Sequence, residues 1–429
     1  MTTGLGALLR PGDDGYDTSR AAWNRNVEQR PAAVVVAESV DDVVAAVRFA
    51  RTEGLGVAVM ATGHGTGVPC DGGVLVNTSR LREVAVDPVH RTARVAAGAL
   101  WTDLIPQSAP YGLTGLPGSS SRVGIVGYTM GGGFGWLGRR HGLASGSVTG
   151  AELVTADGEV VRADADLRWG LKGGGGNFGV VTALEFDLQP VATVYAGNLF
   201  YPVERAHDVL TAYAEWTADQ PDEMASAVAF RRFPPVAAAP EPLRGRQVMA
   251  VRGCWCGADL VEGARSVTAL RTVLGEPVLD TFAALPVSEL DTISSDPVDP
   301  IGAQQHSELV RELSAETVAA LVELGAGAPL IMLELRRLGG ALTVPDGELS
   351  PLGHTAARFS LNAIGLTPNP EAAGSMRSYL ARVAAGMRPH VTGGTYLNFL
   401  DLEGATAQRV RAAYTGADWA RLFDQVQPD

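Results

Sequence analysis

The sequence predicts a two-part α+β protein: a glycine-rich, strand-dominated first half, then an antiparallel sheet covered by helices. Three observations carry this expectation. Short, uninterrupted apolar runs in the first 190 residues each empty into glycine clusters, the pattern of buried strands joined by tight loops. From about Val191 longer strand patterns alternate with segments of helical period, which predicts a second α+β unit with a mainly antiparallel sheet. Finally, 429 residues that are 46% hydrophobic and only 19% charged can bury two substantial cores.

Composition also removes function classes. The formal net charge is -13 and no Lys/Arg-rich run is present, so neither nucleic acid nor an anionic membrane is an expected partner. No window approaches the roughly 18 apolar residues of a membrane span, and Met1–Arg10 lacks the basic-then-apolar pattern of a leader. The expectation is a cytoplasmic protein with a small-molecule partner. Cys70, Cys254 and Cys256 offer no disulfide framework, and a lone Cys-x-Cys with no nearby histidine predicts no metal site.

Ala32–Ala37 reads as a buried strand. Ser39 with Asp42 resembles a capping box opening a helix that carries Val43, Val44, Val47 and Ala50 and stops at Gly54. The strand Val57–Met60 then runs into Ala61-Thr62-Gly63-His64-Gly65-Thr66-Gly67. That loop does not open a helix; it continues through Pro69–Gly73 into a strand at Val74–Asn77, so a Rossmann reading fails. Val84–Val86 and Thr92–Ala96 predict a strand pair and Leu100–Ser108 a helix. A second glycine cluster spans Gly115–Gly135, and a third spans Lys172–Gly179. One cluster alone would read as tight turns. Three beside strands point to a ligand approached by backbone N–H groups, which suits a diphosphate in a protein without a basic patch.

In the second half, strands are expected at Tyr195–Tyr201, Ala227–Arg232, Gln247–Gly253 and Leu330–Leu338, with helices near Val203–Gln220 and Leu260–Leu274. Period-2 alternation sets Met332, Glu334 and Arg336 on one face, so Glu334 sits mid-strand in apolar company, where desolvation would raise its pKa. An ion pair with Arg336 is the bland alternative. Gly393–Asp401 is expected to be a further strand, with Tyr396 and Asn398 on one face.

The motifs Thr62-Gly63-His64-Gly65, Cys70-Asp71-Gly72-Gly73, Val123–Gly135 and Gly173–Thr182, in this order and spacing, resemble the flavoproteins of the vanillyl-alcohol oxidase (PCMH-type) superfamily, in its berberine-bridge-enzyme-like branch. Within that branch the chain looks most similar to bacterial secondary-metabolite members. The resemblance implies an FAD-binding domain over 1–190, a substrate domain over 191–390 and a C-terminal segment, 391–429, returning to the first. It implies FAD bound covalently through His64 to the flavin 8α carbon. The position where many relatives attach a second, cysteinyl bond is Ser120, so the link is expected to be single. Cofactor contacts carried over by the resemblance are Ala61, Thr62, Gly63, Gly65, Thr66, Pro117, Gly118, Ser119, Val123, Gly124, Gly127, Gly132, Gly133, Gly142, Val181 and Asn398. Val123 stands where small side chains in relatives admit oxygen. Gly146-Ser147 replaces a common Asp-Asn, and the chain ends without the Tyr-Asp-Pro segment of relatives.

Glu334, Tyr396 and Tyr128 are the candidate catalytic residues, since hydride removal needs a base for the accompanying proton. The implied activity is an FAD-dependent oxidase acting on an alcohol, phenol or activated C–H of a secondary metabolite, with O2 as acceptor. A dehydrogenase with another acceptor, a redox-neutral cyclase that keeps the flavin as scaffold, and a flavin-bearing binding protein are the alternatives.

Overall fold

A computed structural model describes residues 7–65, 67–343, 350–352, 356–400 and 404–426. Three sheets organise the chain. The first has four strands in the order Ala7–Leu9, Ala33–Val36, Val74–Asn77, Val57–Met60; the last three are parallel and the first is antiparallel to its neighbour. Ala33–Val36 and Val74–Asn77 are buried at every position, as uninterrupted apolar strands in a parallel sheet must be. The crossover helix Val40–Glu53 begins at the expected capping box, with Ser39 Oγ accepting from Asp42 N, and ends on Gly54 in the left-handed conformation.

The second sheet is antiparallel and five-stranded: Val84–Asp87, Thr92–Ala96, Val180–Asp187, Val148–Val154, Val160–Arg162. It packs on the helix Trp101–Ser108 through Trp101, Leu104 and Ile105.

The third sheet has eight strands, all antiparallel. Its central run is Thr193–Pro202, Gln247–Trp255, Met224–Arg232, Met332–Arg337, Phe359–Leu366 and Ala303–Val310. The helices Ala206–Ala218, Leu260–Leu274, Ala315–Gly325 and Pro370–Met387 supply the apolar residues that pack with one face, where Tyr201, Val228, Phe230, Met249, Val251, Leu333 and Leu335 form the main core. Alternation then commits the intervening residues to the other face. On that face stand Asn198, Arg252, Arg231, Glu334, Arg336 and Asn362, a polar row in the middle of the molecule.

One expected element is corrected. Of the strand expected over Gly393–Asp401, Gly393–Leu400 forms none and holds a single 3-10 turn, Leu397–Phe399, while Asp401 lies outside the described residues. Side chains hold it instead of a ladder. Asn398 Nδ2 donates to Tyr128 O (2.9 Å), and its Oδ1 accepts from Gly133 N (3.0 Å). Gln305 Nε2 and Ser307 Oγ both donate to Phe399 O, each at 3.0 Å. Among the described residues no helix is long and apolar enough to cross a membrane, and no cluster of His, Cys, Asp and Glu could hold a metal ion.

Candidate active site

The loop after Val57–Met60 owes its path to Gly63. Its φ is 75°, and a Cβ there would lie 2.6 Å from Ala22 Cα, so only glycine fits. The adjoining segment closes over the loop: Trp23 N donates to Thr62 O (3.0 Å), and the Trp23 ring stacks on His64 with centroids 4.5 Å apart and planes 18° apart. His64 Nδ1 is hydrogen-bonded to Thr62 Oγ1 at 2.8 Å. Burial lowers the His64 pKa to about 4, so the imidazole is neutral at physiological pH. Thr66 lies outside the described residues.

From Ala61 to Gly65 the backbone N–H groups find no acceptor among the described residues, and the same holds for Gly118, Ser119 and Ser120. The two loops converge, because Ala61 Cβ is 3.4 Å from where a Gly124 Cβ would stand. In the helix Ile125–Met130, whose Ile125, Val126, Thr129 and Met130 are buried, Gly127 is an exposed, open position where a Cβ would meet nothing within 4 Å. Two rows of free main-chain donors around a glycine-lined cleft, with no basic side chain in either row, suit the diphosphate and ring edge of FAD. The residues present therefore fit the cofactor.

Gly131–Gly133 form the next wall. Gly132 and Gly133 have φ of 112° and 77°; a Cβ on Gly132 would press on Leu352 at 2.8 Å, with the Tyr396 hydroxyl at 3.2 Å, and one on Gly133 would press on Tyr128. Tyr128 fills the gap between Gly118 and Gly133 and meets Trp101 edge to face at 5.8 Å. Val123 O accepts from Trp101 N at 3.4 Å, so its backbone is tied to that helix. Gly142, with φ 83°, backs onto Ala341 O, whereas Val181 is buried in the core of the five-stranded sheet opposite Leu153. The O carbonyl of Pro117 lies where a Gly135 side chain would begin, which keeps the second loop hard against the third wall.

Beyond these walls lies an apolar pocket lined by Phe134, Leu143, Leu309, Leu342, Ser360 and Tyr396. Phe134 meets Tyr396 edge to face at 5.7 Å. For Tyr396, a candidate base or substrate orienter, and for Tyr128, which reaches the same wall, the surroundings favour the neutral phenol. Burial drives the Tyr128 pKa far up, and burial reinforced by the neighbouring Tyr128 does the same for Tyr396. Both phenols therefore keep their protons.

Glu334 requires a correction too. It is 2% exposed, yet it is not a carboxyl of raised pKa. Burial pushes its pKa up, but the guanidiniums of Arg336 and Arg252 outweigh it and hold the group ionised. Arg336 donates to Oε1 from Nε (3.1 Å) and Nη2 (2.8 Å), and Arg252 Nη1 pairs with Oε2. The strand between them explains the reach: Ala227 and Ala229 stand opposite Arg252, Arg336 and Glu334, and their small side chains leave room for the guanidinium to cross.

Sequence reasoning missed several residues that share this face. Arg252 Nη2 donates to Ile293 O (2.9 Å), Arg231 Nη1 to Ser294 O (2.9 Å) and Trp136 Nε1 to Ser294 Oγ (3.1 Å), while Ser121 N donates to Asp291 Oδ1 (2.9 Å). The short helix Asp291–Ser294 is thus bolted to the second glycine loop and to the sheet. Ser295 follows in the left-handed conformation, φ 50°, a costly geometry for a non-glycine residue, and presents Asp296. Asp296 makes no hydrogen bond or ion pair among the described residues; burial raises its pKa against the pull of Arg252 and Arg231. Two residues on, Val298 O accepts from Trp23 Nε1 (3.5 Å), so this loop links the His64 stack to the arginine cluster. The signal for Arg252 was a lone charge inside the apolar run Val248–Trp255.

Comparison with known proteins agrees with this architecture. Residues 31–164 match the family described as an FAD binding domain. An FAD-linked oxidoreductase of Dictyostelium discoideum is 29% identical over 410 residues, 92% of this chain and 86% of the relative. The (R)-6-hydroxynicotine oxidase of Paenarthrobacter nicotinovorans is 28% identical over 439 residues, 97% of this chain and 92% of the relative. The solved structure of berberine bridge enzyme from Eschscholzia californica superposes with a TM-score of 0.82 at 20% identity, covering 99% of this chain and 94% of that one. Residues 31–164 therefore carry an FAD binding domain, and over its length the chain is similar to FAD-linked oxidoreductases and shares the fold of berberine bridge enzyme.

Proposed function

We propose that the protein is an oxidase: it removes a hydride from an alcohol, phenol or activated C–H of a small secondary metabolite, with O2 as final acceptor. The observation that carries the reading is the cleft itself, where two rows of free backbone donors and a neutral histidine lead to an apolar pocket under Phe134 and Tyr396. The same cleft supports division of the chain into an FAD-binding part, 1–190, a substrate part, 191–390, and a returning segment, 391–429, whose Asn398 and Tyr396 meet Gly131–Gly133. Free Cys70, Cys254 and Cys256 accord with a reducing, cytoplasmic setting.

His64 is the single covalent tether in this reading. Its neutral ring has a lone pair to offer, Thr62 and Trp23 fix its orientation, and Ser120 cannot form a thioether. Bound flavin supplies the hydride acceptor and the reaction with oxygen. The chain supplies position and proton handling. Loops 61–65 and 117–120 hold the cofactor. Protonated Tyr396 orients the substrate as a hydrogen-bond donor. Glu334, kept ionised, holds Arg252 and Arg336 in place, and Asp296, with its raised pKa and no partner among the described residues, takes the substrate proton on a carboxylate oxygen.

Three measurements test the reading. Acid-precipitated protein should stay yellow and turn colourless with His64→Ala; a colourless wild-type pellet sinks the tether. Stopped-flow mixing of the reduced protein with air should show fast reoxidation, and slow reoxidation would favour a dehydrogenase. Screening secondary-metabolite alcohols and phenols for peroxide release, wild type against Asp296→Asn, tests the proton acceptor. Equal release by both proteins would remove Asp296 from that role.

A further inference from the structure

The polar face of the eight-stranded sheet holds more positive charge than the described residues neutralise. Arg231, Arg252 and Arg336 face two carboxylates, Glu334 and Asp296. Both oxygens of Glu334 are taken, by Arg252 and Arg336, and Asp296 pairs with none of the three. Among the described residues one guanidinium charge is left over. Arg252 is 1% exposed and Arg336 6%, yet Arg252 Nε and Arg336 Nη1 are buried with no acceptor among the described residues. Arg336 lies over the rings of Trp136 (4.7 Å) and Phe134 (5.3 Å), and Arg252 over Trp136 (5.2 Å). Ring faces attract the cation, but they do not accept its in-plane N–H groups. A buried charged donor without an acceptor is costly, so its retention points to a ligand that completes it.

The place of this unmet donor identifies the ligand's chemistry. Arg336 Nη2 donates to Ser119 Oγ (3.0 Å), on the loop whose main-chain donors face the cleft. Its ring partner Phe134 and its cross-strand neighbour Ser360 both line the apolar pocket. A group seated on Arg336 and Arg252 would therefore have its attached apolar body beside Leu309, Leu342 and Tyr396. The planar guanidinium fork matches a carboxylate, and in a chain of net charge -13 such a site must be built locally. We infer that the substrate is an amphipathic small molecule bearing a carboxylate-type anion, held by Arg336 and Arg252 while its apolar part fills the pocket. This rests on the oxidase reading of the same cleft.

Binding of benzoate and benzamide to the flavin-loaded protein tests the inference, followed by perturbation of flavin absorbance and of tryptophan fluorescence. The two probes share shape and differ in charge. Wild type should bind benzoate at least about tenfold more tightly, and Arg336→Met should reduce that preference to about threefold or less, with Arg336→Lys between them. Should Arg336→Met fail to fold, Arg336→Gln takes its place, with the same loss of benzoate preference expected. Equal binding of the two probes by wild type overturns the inference, as does a benzoate preference that survives in Arg336→Met. If the probes bind equally while Arg336→Met weakens sulfite binding to the flavin, the unmet donor serves the cofactor's own anion and the substrate claim is wrong. Air reoxidation of the reduced protein needs none of these probes, so rapid reoxidation without benzoate preference would sink this inference and leave the oxidase reading standing.

Discussion

The two faces of the eight-stranded sheet are made from the same strands and differ in every physical respect. On the face packed with the helices, Val228, Phe230, Met249, Val251, Leu333 and Leu335 are at most 2% exposed and form one continuous core. On the other, one residue away in each strand, Arg252, Glu334 and Arg336 form an ionic network under the cofactor cleft, with Arg231 beside it. The difference teaches that burial alone does not make a residue structural. The helix-side face gains stability from every methylene, whereas the cleft-side face surrenders some of that gain to keep charges out of water and in position.

Truncation on the cleft side should give the largest effect on folding. Arg252→Met leaves Glu334 with one of its two guanidiniums and should cost about 3–5 kcal/mol in denaturant unfolding. A loss below about 1 kcal/mol would show that water already reaches the network. On the helix side, Leu335→Ala should cost about 2–5 kcal/mol from lost burial and the cavity left behind, with the flavin spectrum unchanged. A spectral shift with Leu335→Ala would mean that the two faces are not independent.

The glycine loops offer a third test, of intermediate size. Because burial lowers the folded-state pKa of His64 from 6.5 to about 4, the unfolded chain binds the additional proton between those values. Stability of the flavin-free protein should be full above pH 6.5 and fall as the pH drops through 6.5 toward 4. Discounting for partial exposure, the loss is about 2 kcal/mol. Denaturant midpoints at several pH values would measure it, and His64→Ala should abolish that component. An unchanged profile in the variant would assign the acid sensitivity elsewhere.

The smallest change sharpens the contrast most. Asn362 stands opposite Glu334 on the cleft-side face, 8% exposed, with its Oδ1 unpartnered among the described residues. Replacing a buried polar group that lacks a partner by an apolar one of similar volume removes a desolvation cost. Asn362→Leu should therefore leave stability within about 1 kcal/mol of wild type, or raise it. A loss of more than about 2 kcal/mol would place Asn362 among the structural residues.

Much of this was legible in the chain itself. The capping box at Ser39, the buried strands Ala33–Val36 and Val74–Asn77, and the helices after Val203 and Leu260 follow from local pattern, because capping and amphipathic period act over a few neighbouring residues. Tyr396 and Asn398 are expected to share one face of a strand, but that strand is absent, and the fold sets them against Gly131 and Gly132. Side-chain hydrogen bonds from Gln305, Ser307 and Asn398 replace a ladder there, and their partners are far away in sequence.

Glu334 marks the boundary between the two kinds of knowledge. Alternation alone put it with Arg336 on one face of a buried strand, since period 2 is a property of the strand itself. Its state of charge depended on Arg252, 82 residues earlier in the chain and brought alongside by the strand Met224–Arg232. The sequence by itself determined the glycine loops, the faces and the cofactor class, because short-range sterics and residue chemistry dictate them. The fold alone makes Glu334 an ionised anchor, brings Trp23 over His64, and leaves Asp296 without a partner among the described residues. Electrostatics depends on distance in space, and folding sets that distance between residues the chain keeps far apart.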